Sequence, residues 1–414
     1  MFNKIIRLVK KVRYLILEIF NLNITNILYF PIIETKEELS YIVNSIASSI
    51  PYKNDLIINI TVNQKLLNIN ILNLDILEYQ SDYISNKKLE HINLVEASFF
   101  NLFKADMICL TEKEYLKRLI YFIYKIELID TKEKDSSVAS FYKTINWRLN
   151  NRKENEENLK KSKTNYLRLI QEKNQATKSY VIAGGPSIKR YNKFNFDKND
   201  FVISINDYVI KDFEFMNYIH MDAVCFSDPV LFFGASKYTQ EFYNNLIKAF
   251  EYKKFYIFVD IKAFDILIDL GVFDNYLIGL KMESKKWYTL LSKNNLSLST
   301  NPRANSLTRL GGTIGLSITN TVLFLGADGM KKNEMKKINK NYSDTRQFAY
   351  INYNIELPMI YRTYETSLKH HNNYNLYLEQ FIDFANLMDK KVYTLVESNY
   401  EILNNLYYSE STND

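Results

Sequence analysis

Two of the chain's four histidines, His370 and His371, stand side by side near its carboxyl end. Imidazole titrates close to neutral pH, so either one could take a proton from a hydroxyl as a general base. The isolated His91 and His220 read as structural residues. A second stretch able to do chemistry is Tyr180-Val181-Ile182-Ala183-Gly184-Gly185-Pro186-Ser187-Ile188. Its apolar run reads as a strand that stops at two glycines, where backbone can turn tightly and approach a ligand closely. Pro186 suits the first turn of a helix, and Ser187 offers a hydroxyl. A strand entering a helix this way points N–H groups outward and makes an anion site. An ordinary strand-to-helix turn fits the segment equally well.

Small polar residues and carboxylates recur at the ends of other apolar runs. Phe201–Ile205 ends at Asn206-Asp207, Ala223–Phe226 at Ser227-Asp228-Pro229, and Val322–Leu325 at Gly326-Ala327-Asp328-Gly329. Singly, each is a helix cap or turn former. Together with the glycine turn they are better explained by one shared cleft. The runs at 179–183, 201–205, 222–226, 255–259, 321–325 and 391–396 read as strands with helical stretches between several of them. That alternation predicts a doubly wound, mostly parallel α/β sheet of Rossmann-like type, whose ligands sit at the strands' carboxyl ends.

The totals bound the class. With 414 residues there is room for two or three domains, and 47% hydrophobic with 24% charged residues describes a soluble globular protein. A net charge of +6 is mild for this length and gives no argument for nucleic acid. Few glycines and many Tyr, Phe, Asn, Ile and Lys match the coding bias of an AT-rich genome, so Asn and Lys clusters count only where position supports them. Cys109 and Cys225 lack metal or redox spacing and fit a reducing, cytoplasmic compartment. No apolar run is long enough to span a bilayer.

Residues 1–175 read as a smaller α+β region. Strands are expected at 56–62 and 67–72, and a helical stripe at Tyr115, Leu119, Ile120 and Ile123. The polar stretch 150–163 reads as an exposed helix or a connecting rod, with a domain boundary near 175. Residues 1–21 alternate Lys and Arg with apolar residues. They form either a basic amphipathic helix on the inner face of the cell membrane or a first helix packed on its domain. The catalytic domain is placed at 176–405 and a tail at 406–414.

The order Ala183-Gly184-Gly185-Pro186-Ser187, Asn206, Ser227-Asp228-Pro229-Val230-Leu231-Phe232-Phe233 resembles the bacterial sialyltransferases of glycosyltransferase family 42. Arg303-Ala304-Asn305-Ser306 is similar to their Arg-x-Thr-Ser segment, and the spacing on to Gly326-Ala327-Asp328 fits their Gly-x-Asp strand end. The His370-His371 pair, followed by a helix and the strand from Lys391, resembles the segment bearing their catalytic histidine. The resemblance covers roughly residues 178–400. The same turn and Asp228-Pro229 also resemble the motility accessory factor group, which is linked to flagellin glycosylation and has pterin diphosphokinases among its relatives. Asp228 stands where the sialyltransferases show Asn, and their turn carries an Asn that this chain lacks.

The resemblance implies a GT-A-like variant of the Rossmann-like sheet and a metal-independent, inverting glycosyltransferase. The donor would be a CMP-linked nonulosonic acid and the acceptor a surface glycan, a lipid-linked glycan or a protein. The implied site has Gly184, Gly185, Pro186 and Ser187 cradling phosphate, and Asn206 and Asp228 on ribose or sugar. Arg303, Asn305, Ser306 and Asp328 complete the nucleotide-sugar site. His370 or His371 serves as base, and tyrosines such as Tyr342 or Tyr350 steady the departing phosphate. No Asp-x-Asp metal motif follows a strand; Asp197-Lys198-Asn199-Asp200 has the wrong spacing and reads as a turn. The lysine-rich stretch 330–368 is a lid or a solvated loop. Residues 1–175 are left to bind the acceptor, the membrane or another copy of the chain. A diphosphokinase using ATP and magnesium, and a non-catalytic nucleotide-binding relative, are the competing readings.

Overall fold

The structure, a computed structural model, describes residues 12, 15, 16, 19, 25–49, 57–74, 89–111, 125–129, 152–227, 232, 237–282, 305–329 and 364–408. The chain divides into two units, Met1–Leu149 with Pro229–Gln240 and Asn150–Asp228 with Glu241–Asp414.

The first unit is built on strands β1 (Thr25–Ile33), β2 (Ile58–Val62), β3 (Ile92–Val95), β4 (Ala105–Thr111) and β5 (Lys125–Ile129), in the order β3-β2-β1-β4-β5. Every pairing is parallel, so the expected α+β region is corrected to a parallel α/β sheet. Helix α1 (Lys36–Ser49) supplies the crossover that parallel β1 and β2 require. Its Leu39, Ile42, Val43 and Ile46 cover Ile27, Ile58, Ile60 and Val62 on one face, while Leu102 of α2 (Phe99–Lys104) meets Leu28 and Ile108 on the other. The expected strand 67–72 is absent. Asn63 and Asn70 cap short 3-10 turns there by accepting from Lys65 N–H and Leu72 N–H, a local alternative to a ladder that alternation does not reveal. The stripe at 115–123 lies outside the described residues. Val12, Leu15, Ile16 and Ile19 are helical, and Val12, Leu15 and Ile19 are exposed. Among the described residues no helix is long and apolar enough to cross a membrane.

The second unit begins with helix α3 (Arg152–Glu172), so the boundary expected near 175 moves to 149/150. α3 is no rod. Asn165 Nδ2 donates to Leu277 O at 2.8 Å, Ser162 Oγ accepts Gly279 N–H at 3.0 Å, and Tyr166 packs edge-on against Phe258. The strands are β6 (Ser179–Ile182), β7 (Phe201–Ile205), β8 (Ala223–Cys225), β9 (Tyr256–Asp260), β10 (Leu277–Leu280), β11 (Thr321–Leu325) and β12 (Lys391–Thr394). All pair in parallel, in the order β10-β9-β8-β7-β6-β11-β12. This is the Rossmann-like doubly wound sheet expected of the sequence. β6, β7 and β9 are buried from end to end, which is why they read as unbroken apolar runs. Helices α4 (Phe213–Tyr218), α5 (Lys237–Tyr252, of which the part from Glu241 belongs here), α6 (Phe264–Ile268), α7 (Thr313–Ile318), α8 (Tyr364–Leu387) and α9 (Glu401–Asn404) complete the unit. The expected tail is shortened as well: Tyr408 N–H donates to Thr394 O at 2.8 Å and Thr394 N–H to Leu406 O at 3.0 Å, tying residues 406–408 to β12.

The amino edge of this sheet is clasped by one lysine. Lys173 Nζ lies 2.8 Å from Asp222 Oδ1 and donates to the carbonyls of Asp200 and Lys198 at 2.8 and 3.1 Å. Burial pushes the Asp222 carboxyl above the ordinary range, and the Lys173 cation opposes that shift. Lys173→Met is therefore expected to cost about 3 kcal/mol at neutral pH, because it strands a mostly buried carboxylate. The sign with pH follows from proton uptake. With its folded pKa raised further, Asp222 of the variant binds a proton that the unfolded chain does not. The deficit relative to wild type therefore shrinks as pH falls toward the ordinary carboxylate range. Urea unfolding of both proteins at pH 7 and pH 5 checks this, and a gap independent of pH contradicts it. Asp197 Oδ1 accepts Asn199 N–H, so Asp197–Asp200 is the turn expected of it. His220 occupies a left-handed turn (φ 53°) just before β8, at the opposite end of the strand from its carboxyl edge.

Candidate functional site

From β6 the chain winds outward through β7, β8, β9 and β10 on one side and returns to β11 and β12 on the other. The reversal between β6 and β11 is a topological switch point, and sheets of this kind bind ligands outside the carboxyl ends of the strands at such a point. The glycine turn sits on that spot. Pro186 opens a 3-10 helix, Pro186–Lys193, as its fixed φ suits it to do.

The turn's donors, however, are committed to the protein itself. Gly185 N–H donates to Gly326 O at 2.9 Å. Ser187 N–H reaches both Asp328 oxygens at 3.1 and 3.2 Å, and Ser187 Oγ donates to Asp328 Oδ2 at 2.9 Å. The phosphate cradle expected of Gly185 and Ser187 is thus filled by the chain's own Asp328 carboxylate, and a phosphate placed there would meet like charge. A Cβ on Gly185 would run into the Asp328 carboxylate and the Gly326 carbonyl, and one on Gly326 (φ +79°) into the Ala183 carbonyl. Gly184 differs. It is exposed, and a Cβ there would meet nothing closer than Tyr208 Cβ at 3.7 Å. Protein packing does not explain its being glycine.

Continuing along the same edge, Asn206 follows β7 in a left-handed conformation (φ 61°), which Asn tolerates better than most residues. Its N–H donates to Cys225 O at 2.9 Å, fixing it beside β8. Among the described residues its Oδ1, which is buried, has no hydrogen-bond partner. The neighbouring Asp207 pairs with Lys211 at 2.6 Å. Two residues past Cys225, the buried Ser227 accepts a hydrogen bond from Arg309 Nη2. The same guanidinium faces Cys225, whose thiol burial pushes far up while the arginine opposes it.

Arg309 comes from the segment 307–318, a π-helical turn (Leu307–Gly312) that runs on into α7. Glycines seat this helix on the sheet. Cβ atoms at Gly311 would meet Val181 and Ile205, and at Gly315 would meet Ser179 and Val322 near the strand starts. The helix therefore runs against the strands and carries its first turn, residues 305–309, to their carboxyl edge. Asn305 Oδ1 accepts from Thr308 N–H at 2.9 Å and Thr308 Oγ1 at 3.2 Å, while the buried Asn305 Nδ2 has no partner among the described residues. Ser306 stands at the helix start, as expected.

Arg309 was not among the residues the sequence singled out. Its signal was available: it lies one turn beyond Asn305, on the same helical face, and donates its N–H to Asn305 O at 2.9 Å. π-turns inside helices often mark functional positions.

α8 also runs against the strands. Phe381 packs on Gly312 and Phe324, Leu378 is buried, and Tyr374 stacks at 5.7 Å on Tyr400, whose ring would block a Cβ on Gly329 past the end of β11. The backbone of His370 and His371 lies one turn before Tyr374, about 6 Å further along the axis, beyond the sheet's carboxyl edge. The pair was expected ahead of the helix; it lies within it, because α8 begins at Tyr364. Asp228, Arg303, Tyr342, Tyr350 and residues 330–363 lie outside the described residues. Among the described residues, no group of three or more His, Cys, Asp or Glu side chains is arranged to hold a metal.

One connected rim thus joins Gly184, Tyr208, Asn206, Ser227, Arg309 and Asn305. Along it lie the exposed Gly184, the Arg309 guanidinium, and two buried amide atoms that have no partner among the described residues. No family model, no curated protein and no solved structure matches this chain.

Proposed function

We propose that the second unit is a nucleotide-sugar glycosyltransferase, similar to the bacterial sialyltransferases, that uses a CMP-activated nonulosonic acid. The supporting observation is the pair of unpartnered amide atoms, Asn206 Oδ1 and Asn305 Nδ2, on the rim that holds Arg309. A buried amide atom left without a partner costs stability, which a ligand atom restores. CMP carries both complements: the cytosine amino group is a donor for Asn206, and the nucleotide's oxygens are acceptors for Asn305. Its phosphate also supplies the anion that a guanidinium fits.

In this reading the acceptor is a surface glycan, a lipid-linked glycan or a protein. Its hydroxyl oxygen attacks the anomeric carbon of the donor sugar. The carbon–phosphate-oxygen bond breaks and CMP departs with the bonding electrons, inverting the centre. His370 or His371 receives the hydroxyl proton. Tyr342 or Tyr350 donates to the departing phosphate, so no metal is needed for that charge.

Thermal unfolding of the full chain with CMP, UDP and ATP, each with and without magnesium, tests the assignment. A ligand at 100 times its Kd stabilises by about 2.7 kcal/mol, a shift of several degrees in a domain this size. The expected result is a magnesium-independent rise with CMP. A rise with ATP alone, dependent on magnesium, would replace this function by pyrophosphate transfer.

A further inference from the structure

Arg309 and the glycine turn compete for the role of phosphate site, and their charges are opposite. Beside the turn stands Asp328, hydrogen-bonded to Ser187 N–H and Oγ, while Gly185 N–H is taken by Gly326 O. A phosphate at that point would have to displace the carboxylate. At the other end of the rim, Arg309 holds its guanidinium at Ser227, past the end of β8, one turn along the helix from the unpartnered Asn305 Nδ2. A planar guanidinium with an amide donor near it matches two oxygens of a phosphate.

We propose that the ligand's phosphate is bound by Arg309 with Asn305 Nδ2, and that the open side of Gly184 is passed by the uncharged part of the ligand. This rests on the nucleotide reading above for the identity of the ligand, though not for the anion. The geometry also allows a purely mechanical Arg309, a brace joining its helix to β8 through Ser227. The two roles differ in what they do to the preference for a charged over an uncharged ligand.

The experiment is isothermal titration of wild type, Arg309→Gln, Arg309→Lys and Ser227→Ala with CMP, cytidine and inorganic pyrophosphate. Wild type is expected to bind CMP at least about 10-fold more tightly than cytidine. Arg309→Gln should bring that ratio close to 1 while cytidine affinity stays within about 2-fold. Arg309→Lys should restore part of the ratio, and Ser227→Ala should keep it. Arg309→Lys also guards against a Gln variant that fails to fold. Retention of the full ratio in Arg309→Gln, or equal loss of CMP and cytidine binding, overturns the proposal and leaves the nucleotide reading standing. Arg309-dependent binding of pyrophosphate with no binding of CMP or cytidine upholds the phosphate site and overturns the nucleotide reading. No binding of any probe by wild type overturns both.

Discussion

Gly326→Ala is expected to destabilise the second unit by about 4 kcal/mol, a large part of the stability of an ordinary domain. Two penalties act together. At φ +79° an L side chain is strained, and the added Cβ would run into the Ala183 carbonyl. That carbonyl cannot retreat cheaply, because Ala183 N–H is held by Leu325 O at 2.8 Å and Gly185 N–H by Gly326 O itself. Gly184→Ala is the matched control. Its Cβ meets only an ordinary contact with Tyr208, so stability should change by less than about 1 kcal/mol. CMP affinity should nevertheless fall at least about 10-fold, since the new methyl stands where the ligand passes. Urea unfolding gives the stabilities and calorimetric titration the affinity. Equal destabilisation by the two substitutions, or a Gly184→Ala protein that binds CMP normally, contradicts this division of labour between adjacent glycines.

The second large effect is catalytic. Replacing one of His370 and His371 by alanine is expected to lower sugar transfer by roughly 100- to 10,000-fold, the range for loss of a positioned base, with CMP affinity unchanged. Replacing the other should leave most of the activity. The helix register places both backbones past the carboxyl edge of the sheet, on the side of the Gly184 turn, so position alone does not choose between them. Turnover of a CMP-sugar donor in the two variants makes the choice. Full activity in both would remove the pair from the reaction.

Much of the second unit was legible because its strands are covered on both faces. Runs such as Phe201–Ile205 and Tyr256–Asp260 are buried along their whole length, and such runs announce themselves in the sequence. β10 escaped notice because it is four residues long and carries Gly279, whose missing side chain makes room for Ile261 and Phe264. The first unit was harder. Its central strand β1 contains Pro31, which has no N–H for the ladder and argues against a central strand. The structure accommodates it where the β1–β2 register shifts, between Tyr29 and Ile33. In the second unit, the strand ends were found by residue type alone. The pairing of Asp328 with Ser187 depends on two loops 141 positions apart, and no local pattern encodes it. For that reason the sequence pointed to the turn as the phosphate site, whereas the charges favour Arg309 for that role.

A crystal of the full chain soaked with CMP tests the central claim most directly. The account predicts the nucleotide at the carboxyl edge of the seven-stranded sheet, with cytosine within hydrogen-bond distance of Asn206 Oδ1 and the phosphate on Arg309 and Asn305. A nucleotide bound elsewhere, or CMP absent from that edge at saturating concentration, would contradict it.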